Sequence, residues 1–406
     1  MRGGGRGRGA STAPRPRRRR AGAPRPPAPP PRRYVLTQFN SRELNSHLAR
    51  AYPPALFAPR AGFVDVLACH QTAADASWYA GSADAVRRNL DSILRGAAGA
   101  PPPAHVVVAS GHALSSLDYG ALVAAHRASG ADATLATQSV SEAVAPRRGL
   151  CRVDPASGGV LGFAEKPAGA RLAALAHASA AATPDAPYEA SMGVYVFTAD
   201  ALRALLGDGG AATPTGDLHH FGRDVVPAAL AAGLDVRAVH VEGYWREVAS
   251  LRDFYEASLE LASARAPLAL TDACMPPPGA GRVLPPTRMG DAALSECLVG
   301  EGCTVGAAAS LVRVVLGANA RVGDNTTLTD CVLLGADVYS ATGGVGDGCT
   351  LAGVVLDRNA VVRAGSSLTN RAGVAECDLS AQCGVTVSDG IIVVPRGATV
   401  PAGTVF

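Results

Sequence analysis

Lysine is nearly absent from this sequence. A single lysine, Lys166, stands against 36 arginines in 406 residues. Arginine therefore serves wherever a generic positive charge is sufficient. A lysine retained against that bias indicates a position that needs a compact ammonium on a flexible stem rather than a planar guanidinium.

Other features are scarce as well, and each scarcity excludes a class of protein. No run approaches the roughly 18–20 apolar residues of a membrane-spanning helix, so we expect no transmembrane segment and no membrane partner. The nine cysteines form no CxxC pair and match no zinc spacing, which favours free thiols in a reducing compartment. Hydrophobic residues make up 48% and charged residues 17%, as is typical of a globular chain.

Acidic residues are missing from residues 1–33, which contain eleven arginines among glycine and proline. This low-complexity segment predicts a disordered tail. A plastid transit peptide is one interpretation, with a cytoplasmic location as the alternative. An RNA-binding Arg-Gly tail is a second interpretation, and a coding start placed too far downstream is a third. The remaining residues carry 26 basic and 34 acidic groups, so the folded part predicts no nucleic-acid partner.

Residues 34–265 alternate apolar strands with amphipathic helices. HVVVAS (105–110) is a nearly continuous aliphatic run and predicts a central strand buried on both faces. DYGALVAAHRASG (118–130) predicts a helix closed by Gly130. SMGVYVF (191–197) and VRAVHV (236–241) predict further strands. The alternation predicts a Rossmann-like α/β domain with a mainly parallel sheet.

A second domain follows a linker rich in proline and glycine at residues 266–290. From 291 to 406, aliphatic residues recur every six positions, often before glycine. This period predicts a parallel β-helix in which one aliphatic per repeat points inward. Breaks near 311–316 and 336–344 interrupt the series. Its members are Val299, Val305, Leu311, Leu316, Val322, Leu328, Leu334, Val345, Leu351, Val394 and Val400.

Nine motifs, in matching order and spacing from residue 34 onward, resemble ADP-glucose pyrophosphorylase (glucose-1-phosphate adenylyltransferase). The resemblance implies a nucleotidyltransferase domain followed by a left-handed parallel β-helix of hexapeptide repeats. It also implies that ADP-glucose is made from ATP and glucose 1-phosphate for starch or glycogen synthesis. The motifs are YVLTQFNSRELNSHLARAY, WYAGSADAVRRNL, LDYGALVAAHRASGAD, GLCRVD, FAEKP, SMGVYVF, FGRDVVPAAL, GYWREVASLRDFYEASLEL and LPPTRM.

The resemblance implies an intact site for the sugar phosphate. Glu165 and Lys166 of FAEKP match the family pair, in which the carboxylate binds sugar hydroxyls and the ammonium binds phosphate. This pair gives the solitary lysine a reason. Tyr79, Gly149 and Ser191 also lie at family substrate-binding positions.

The resemblance implies a Mg²⁺ cofactor whose site has deteriorated. The family's Gly-Asp-His reads Gly111-His112-Ala113 here, so His112 replaces a metal-binding aspartate. Imidazole is a poor replacement because Mg²⁺ prefers oxygen ligands. Glu247 of YWRE replaces the second aspartate and lengthens the arm by one methylene. His220 replaces a further acid.

The family's Gly-rich nucleotide loop is expected before Tyr34, together with the first strand of the sheet. MRGGGRGRGA contains glycines, but no strand pattern precedes it. We therefore expect a domain that lacks this loop and has an exposed sheet edge or an incompletely filled core. Base specificity depends partly on that region, so a GDP- or UDP-sugar enzyme is an alternative.

The C-terminal segments look like those of large, modulatory subunits of plant and algal enzymes. The resemblance implies a tetramer with a catalytic small subunit, and phosphorylated effectors bound near Arg371 and Arg396. Two hypotheses follow: an active enzyme whose true N-terminus lies upstream, or an inactive effector-sensing subunit. A hexapeptide acyltransferase is disfavoured because no histidine follows His240.

Overall fold

A computed structural model describes residues 32–52, 62–71, 76–95, 101–176, 179, 181–207, 218–268, 284–337 and 343–406. The predicted tail, apart from residues 32 and 33, and most of the predicted linker lie outside these residues. No helix in the described ranges is long and apolar enough to cross a membrane. The eight described cysteines are all free thiols.

The N-terminal domain contains short helices and two groups of paired strands. Its strands are β1 (Arg32–Thr37), β2 (Phe63–Ala68), β3 (His105–Ala109), β4 (Ala113–Ser115), β5 (Ala133–Val140), β6 (Gly149–Val153), β7 (Val160–Glu165), β8 (Tyr188–Thr198), β9 (Val236–His240) and β10 (Trp245–Glu247). Its helices are α1 (Arg42–Ala51), α2 (Ser82–Arg88), α3 (Leu90–Leu94), α4 (Tyr119–Ser129), α5 (Gly169–Ala173), α6 (Ala199–Leu206), α7 (Val226–Ala231) and α8 (Leu251–Ala262). A 3₁₀ turn at Ala145–Arg147 and a π-helical turn at Phe221–Val225 complete the described elements.

Strand β8 is the centre of a mixed sheet. It pairs antiparallel with β5 on one side and with β3 and β6 on the other, and the order runs β7-β6-β8-β5-β9. Strands β3, β5, β6 and β9 share one direction, whereas β7 and β8 run the opposite way. Most strands of the sheet therefore point the same way, as predicted. Because β8 runs the opposite way at the centre, its pairings with β3, β5 and β6 are antiparallel, whereas β5 and β9 pair parallel.

Successive side chains of β8 point to opposite faces of this sheet. Both faces are therefore apolar, and helices pack on each of them. Tyr195 and Phe197 pack on the side of α2, α3, α6 and α7. Val194 and Val196 pack on the other side, where Leu122 of α4 contributes. Gly130 closes helix α4 at φ 68°, as predicted. At the other end of the helix, the Asp118 carboxylate accepts from the Ala121 N–H at 3.0 Å.

The prediction that 105–110 is a central strand buried on both faces is wrong. Within the described residues β3 pairs with β8 along one edge only, and Val107 is 39% exposed. Strands β1 and β2 form their own parallel pair, and no described hydrogen bond joins that pair to the larger sheet. The aliphatic run identifies a strand correctly but carries no information about whether its second edge is paired.

The C-terminal domain is a stack of parallel coils, as predicted, except that three strands near its end pair antiparallel with one another. Its strands are β11 (Arg288–Met289), β12 (Ala293–Val299), β13 (Thr304–Val305), β14 (Ser310–Leu316), β15 (Arg321–Val322), β16 (Thr327–Leu333), β17 (Gly344–Val345), β18 (Thr350–Leu356), β19 (Val361–Val362), β20 (Ser367–Thr369), β21 (Cys377–Leu379), β22 (Val385–Ser388), β23 (Ile391–Val394) and β24 (Thr399–Val400), with α9 (Ser380–Cys383) beside β21. The three antiparallel strands are β21, β22 and β23. Strand β11 lies inside the segment predicted as linker and pairs with β13.

Each coil has three faces. The number of residues in a coil explains the first predicted break in the six-residue series, near 311–316. The seven-residue strands bend at a fourth residue of positive φ, such as Arg313 at 52° and Asp330 at 53°, and so lie on two faces. Bonds between adjacent coils join residues 17 apart, one fewer than three hexapeptides. The short step from 311 to 316 crosses this bend. The second break is a longer coil, because the bond from Asp324 to Asp347 spans 23 residues.

Aliphatic ladders fill the interior of the coils. Leu294, Leu311, Leu328, Leu351 and Leu368 lie in register on one face. One predicted member is misplaced by a residue: Leu333 is the buried rung, whereas Leu334 is half-buried on the outside. The six-residue period selects Leu334 because it follows Leu328 by six positions. The bend within β16 shortens this step to five residues and places Leu333 inside.

Helix α8 joins the two domains by packing along the outside of the coils. Leu251, Phe254, Tyr255 and Leu259 lie against an outer apolar row that includes Val332 and Val355. The Tyr255 hydroxyl donates to the Asp330 carbonyl at 2.7 Å. This contact fixes the coils to the element that directly follows Glu247.

Candidate functional site

Glu165 and Lys166 lie at the end of β7, beside the start of β6. Gly149 is the cross-strand partner of Glu165. Lys166 has a positive φ of 45°, and its N–H donates to the Arg148 carbonyl at 3.0 Å. The chain thus turns sharply at Lys166 while remaining bonded to the neighbouring strand.

Two glycines make room for the Glu165 carboxylate. A Cβ at Gly149 would lie 2.8 Å from Glu165 Oε2 and 2.5 Å from Phe163 Cζ. A Cβ at Gly222, in the π-helical turn, would lie 2.5 Å from the same Oε2. Because real Cβ atoms do not approach this closely, any side chain at either position would move the carboxylate.

The surroundings of Glu165 set opposing influences on its pKa. Burial raises the pKa of the Glu165 carboxyl above its usual value, and the nearby cations Lys166, His220 and Arg223 only partly offset this effect. The backbone N–H of His220 donates to Asp224 at 2.9 Å, which holds the π-helical turn against the site. Glu165 therefore lies in a partly desolvated cleft among basic groups.

Ser191 and Tyr79 lie on other elements. Ser191 is buried on β8, where its hydroxyl accepts from the Gly193 N–H at 3.3 Å. The Tyr79 hydroxyl accepts from Asn89 Nδ2 at 2.8 Å, and burial raises the pKa of this phenol. The structure brings Gly149, Glu165 and Lys166 together, whereas the described hydrogen bond of Tyr79 ties it to the α2–α3 junction instead.

His112 and Glu247 meet although 135 residues separate them. Strands β4 and β10 pair antiparallel, with Glu247 opposite Ala113. His112 Nε2 lies 2.6 Å from Glu247 Oε1, and His112 Nδ1 lies 2.9 Å from the Ser110 hydroxyl. Burial, Arg148 and Lys166 all lower the pKa of His112, so Lys166 acts on this group as well. Arg148 links the two groups, because its carbonyl accepts from the Lys166 N–H and its guanidinium contacts Glu247. We refer to these residues together as one cleft.

Arg148 is a member of this cleft that sequence reasoning missed. Its NH1 forms an ion pair with Glu247 Oε2, and its guanidinium carbon lies 5.2 Å from the Trp245 ring centroid. The side chain is 16% exposed. The sequence offers one indication of its role, which is that Arg148 directly precedes the predicted ligand Gly149. Because arginine is so common in this chain, the residue type alone gave no further indication.

Two models of known protein families match this chain, one over each domain. A family model described as nucleotidyl transferase matches residues 32–264. The chain belongs to the nucleotidyl transferase family. A second model, described as the GLGC left-handed parallel beta-helix domain, matches residues 282–405. These matches confirm the predicted fold class, including the left-handed sense of the coils.

The residues of this nucleotidyltransferase do not fit a bound Mg²⁺. Mg²⁺ requires near-octahedral oxygen ligands, yet the two predicted metal positions supply one carboxylate and one imidazole. Both Glu247 oxygens are already engaged, one by His112 and the other by Arg148. Nowhere in the described ranges do three or more His, Cys, Asp or Glu residues gather as metal ligands.

The two predicted effector residues lie on the β-helix of the nucleotidyltransferase, in different settings. Arg371 is exposed on the turn after β20. Arg396 forms ion pairs with Glu43 of α1 and with Asp337, the latter at 2.9 Å. Arg396 is therefore a bridge between the two domains.

Proposed function

We propose that this chain is a glucose-1-phosphate adenylyltransferase homologue that binds the sugar phosphate and acts as a modulatory subunit, with weak or no turnover of its own. The observation that carries this proposal is the combination of two family matches with an assembled Glu165–Lys166 cleft. A GLGC-type β-helix fused to a nucleotidyl transferase domain supports the adenylyl rather than the guanylyl or uridylyl relatives.

The residues of the cleft have separate roles in this proposal. The Lys166 ammonium binds the phosphate of glucose 1-phosphate, and the Glu165 carboxylate accepts hydrogen bonds from sugar hydroxyls. Gly149 and Gly222 let the sugar and the carboxylate approach the backbone closely. Ser191 lies on the central strand β8 and Tyr79 at the α2–α3 junction; a substrate-binding role for these two residues is an expectation from the family resemblance.

Weak turnover follows from the state of Glu247. Attack of the sugar phosphate on the α-phosphorus of ATP requires neutralisation and precise positioning of charge, and small displacements there are costly. A carboxylate paired with Arg148 and His112 is not available for that task. A partner subunit with an intact centre would supply turnover, in a tetramer of the kind that the resemblance implies.

Effector binding near Arg371 and Arg396, ATP as second substrate and a plastid location are further parts of this proposal. A phosphorylated effector would compete with Glu43 and Asp337 for the Arg396 guanidinium. The plastid location depends on the basic composition of residues 1–33.

The decisive experiment measures pyrophosphate release from ATP and glucose 1-phosphate, first with the purified chain and then with the chain mixed with a catalytic small subunit of this family. We expect no release from the chain alone and a changed response to phosphorylated effectors in the mixture. Substantial turnover by the chain alone would contradict the modulatory role. Preferential use of GTP or UTP would contradict the adenylyl assignment.

A binding experiment tests the sugar-phosphate site separately from turnover. Lys166→Gln should weaken glucose 1-phosphate binding about 10- to 100-fold, because charge-assisted hydrogen bonds contribute about 1.5–3 kcal/mol. Arg171→Gln is the matched control, since it removes one positive charge from an exposed position on the nearby α5. Equal affinities of the two variants would place the phosphate elsewhere.

A further inference from the structure

The Arg148 guanidinium lies beside the Glu247 carboxylate, at the place where a metal ion would otherwise bind. One oxygen faces His112 Nε2 at 2.6 Å, and the other pairs with Arg148 NH1. A metal ion approaching either oxygen would have to displace an imidazole or a guanidinium. The carboxylate is only 25% exposed, so its open side is limited.

Arg148 is held in this place by two contacts besides its ion pair with Glu247. Its guanidinium stacks on Trp245, two residues before Glu247 on β10. Its carbonyl accepts from the Lys166 N–H at 3.0 Å, which ties it to the phosphate-binding pair. Its Nε is buried and has no described hydrogen-bond partner. The planar guanidinium thus lies between an aromatic ring and a carboxylate, and it retains a donor with no described partner.

His112 completes the arrangement from the opposite side. Ser110 bonds its Nδ1 at 2.9 Å, and the Val248 N–H donates to its carbonyl at 2.6 Å. The ring is thereby directed at Glu247 and offers nitrogen where a hard divalent ion requires oxygen. The His112 imidazole and the Arg148 guanidinium therefore both occupy oxygens of Glu247, and both disfavour binding of a metal ion there.

We propose that the Arg148 guanidinium is a built-in cation that replaces the divalent metal ion at Glu247, so that this chain binds a sugar phosphate without any metal. The inference uses the proposed function only for the identity of the ligand. It makes Arg148 a positioning residue for Glu247 and a source of positive charge beside Lys166.

Two measurements on the unmodified full chain test the proposal. Titration with Mn²⁺, followed by electron paramagnetic resonance, should leave the free-ion signal as it is in buffer. Calorimetric titration with glucose 1-phosphate should give the same affinity in EDTA and in excess Mg²⁺. Mn²⁺ binding with a Kd below about 1 mM, or an affinity about tenfold lower in EDTA, would overturn the proposal.

The Mn²⁺ titration stays informative if the sugar phosphate fails to bind. Absence of glucose 1-phosphate binding in both buffers would refute the proposed function, while the Mn²⁺ result would still decide whether Arg148 excludes metal. The two ideas therefore fail by different observations.

A pair of double variants isolates Arg148. His112→Asp with Arg148→Gln should gain a Mn²⁺ site, since it adds a second carboxylate beside Glu247 and removes the guanidinium. His112→Asp with Arg152→Gln has the same net charge but keeps Arg148; Arg152 is exposed on the same strand β6. We expect no site in this control. Equal Mn²⁺ binding by both variants, or by neither, would show that Arg148 is not the excluding group. Circular dichroism melts establish that both variants are folded.

Discussion

Replacing Gly149 with alanine should displace the Glu165 carboxylate without removing any polar group. The new Cβ would lie 2.8 Å from Glu165 Oε2 and 2.5 Å from Phe163 Cζ. Phe163 is only 9% exposed, so its ring has little room to retreat. The carboxylate is the end of a flexible side chain and is the group that will move.

Two magnitudes follow from this geometry. Overpacking at a closed position typically destabilises a fold by about 1–3 kcal/mol, and we expect the lower end because Glu165 can rotate. A displaced carboxylate loses its charge-assisted bonds to the sugar, which contribute about 1.5–3 kcal/mol, or about 10- to 100-fold in Kd. The binding defect should therefore exceed the stability defect.

The assay combines urea unfolding with calorimetric binding of glucose 1-phosphate. Gly162→Ala is the matched control, because Gly162 lies on the adjacent strand β7 and a Cβ there meets no atom within 4 Å. Gly162→Ala should change neither quantity measurably. If the two alanine variants bind glucose 1-phosphate equally well, the close approach at Gly149 does not position Glu165 for the sugar.

Three further perturbations test the fold around the site. Leu328→Ala should destabilise the β-helix by about 2–5 kcal/mol, because this rung is fully buried; Val312→Ala, at 41% exposure, should change the urea midpoint little. Burial raises the pKa of Asp224, but Arg223 and backbone N–H groups lower it to about 2. A depressed folded-state pKa contributes stability above the unfolded value near 3.8 that is lost as the pH falls toward 2. Asp224→Asn should flatten the stability profile between those two pH values, by on the order of 1–2 kcal/mol; an unchanged acid profile would refute the assignment. Tyr255→Phe should cost about 1 kcal/mol in chemical unfolding, since one interdomain hydrogen bond is lost, and no change would show that α8 is held by apolar contacts alone.

Patterns within a short stretch of chain predicted the fold well. The six-residue recurrence of aliphatics identified the β-helix because a ladder repeats the same requirement in every coil. The pattern selected Leu334 instead of Leu333, because a strict six-residue period does not include the bend of each coil that decides which leucine points inward. The sequence also did not show that β3 pairs along one edge only among the described strands, because edge pairing depends on a distant segment.

The site was predicted in part, for a related reason. Glu165, Lys166 and Gly149 were identified from motifs and do lie together. His112 and Glu247 were identified as two separate losses of a metal ligand, whereas the structure joins them by one hydrogen bond. Arg148 was not predicted as a site residue, because its role depends on contacts with Trp245 and Glu247, about a hundred residues later in the chain. The pairing of β4 with β10 explains the approach of His112 to Glu247, whereas Arg148 reaches Glu247 from the residue before β6.

The packing of α8 on the coils also sets an order of events during synthesis. Phe254 and its neighbours leave the ribosome before any of the surface that covers them, which begins near Val315 and extends to Val393. At about 5–20 residues per second, the last of that cover follows on the order of ten seconds later. A nascent chain therefore carries an uncovered apolar stripe through that interval. A chaperone that recognises such stripes has its best opportunity then, and premature termination inside the β-helix would leave the stripe exposed for the lifetime of the product.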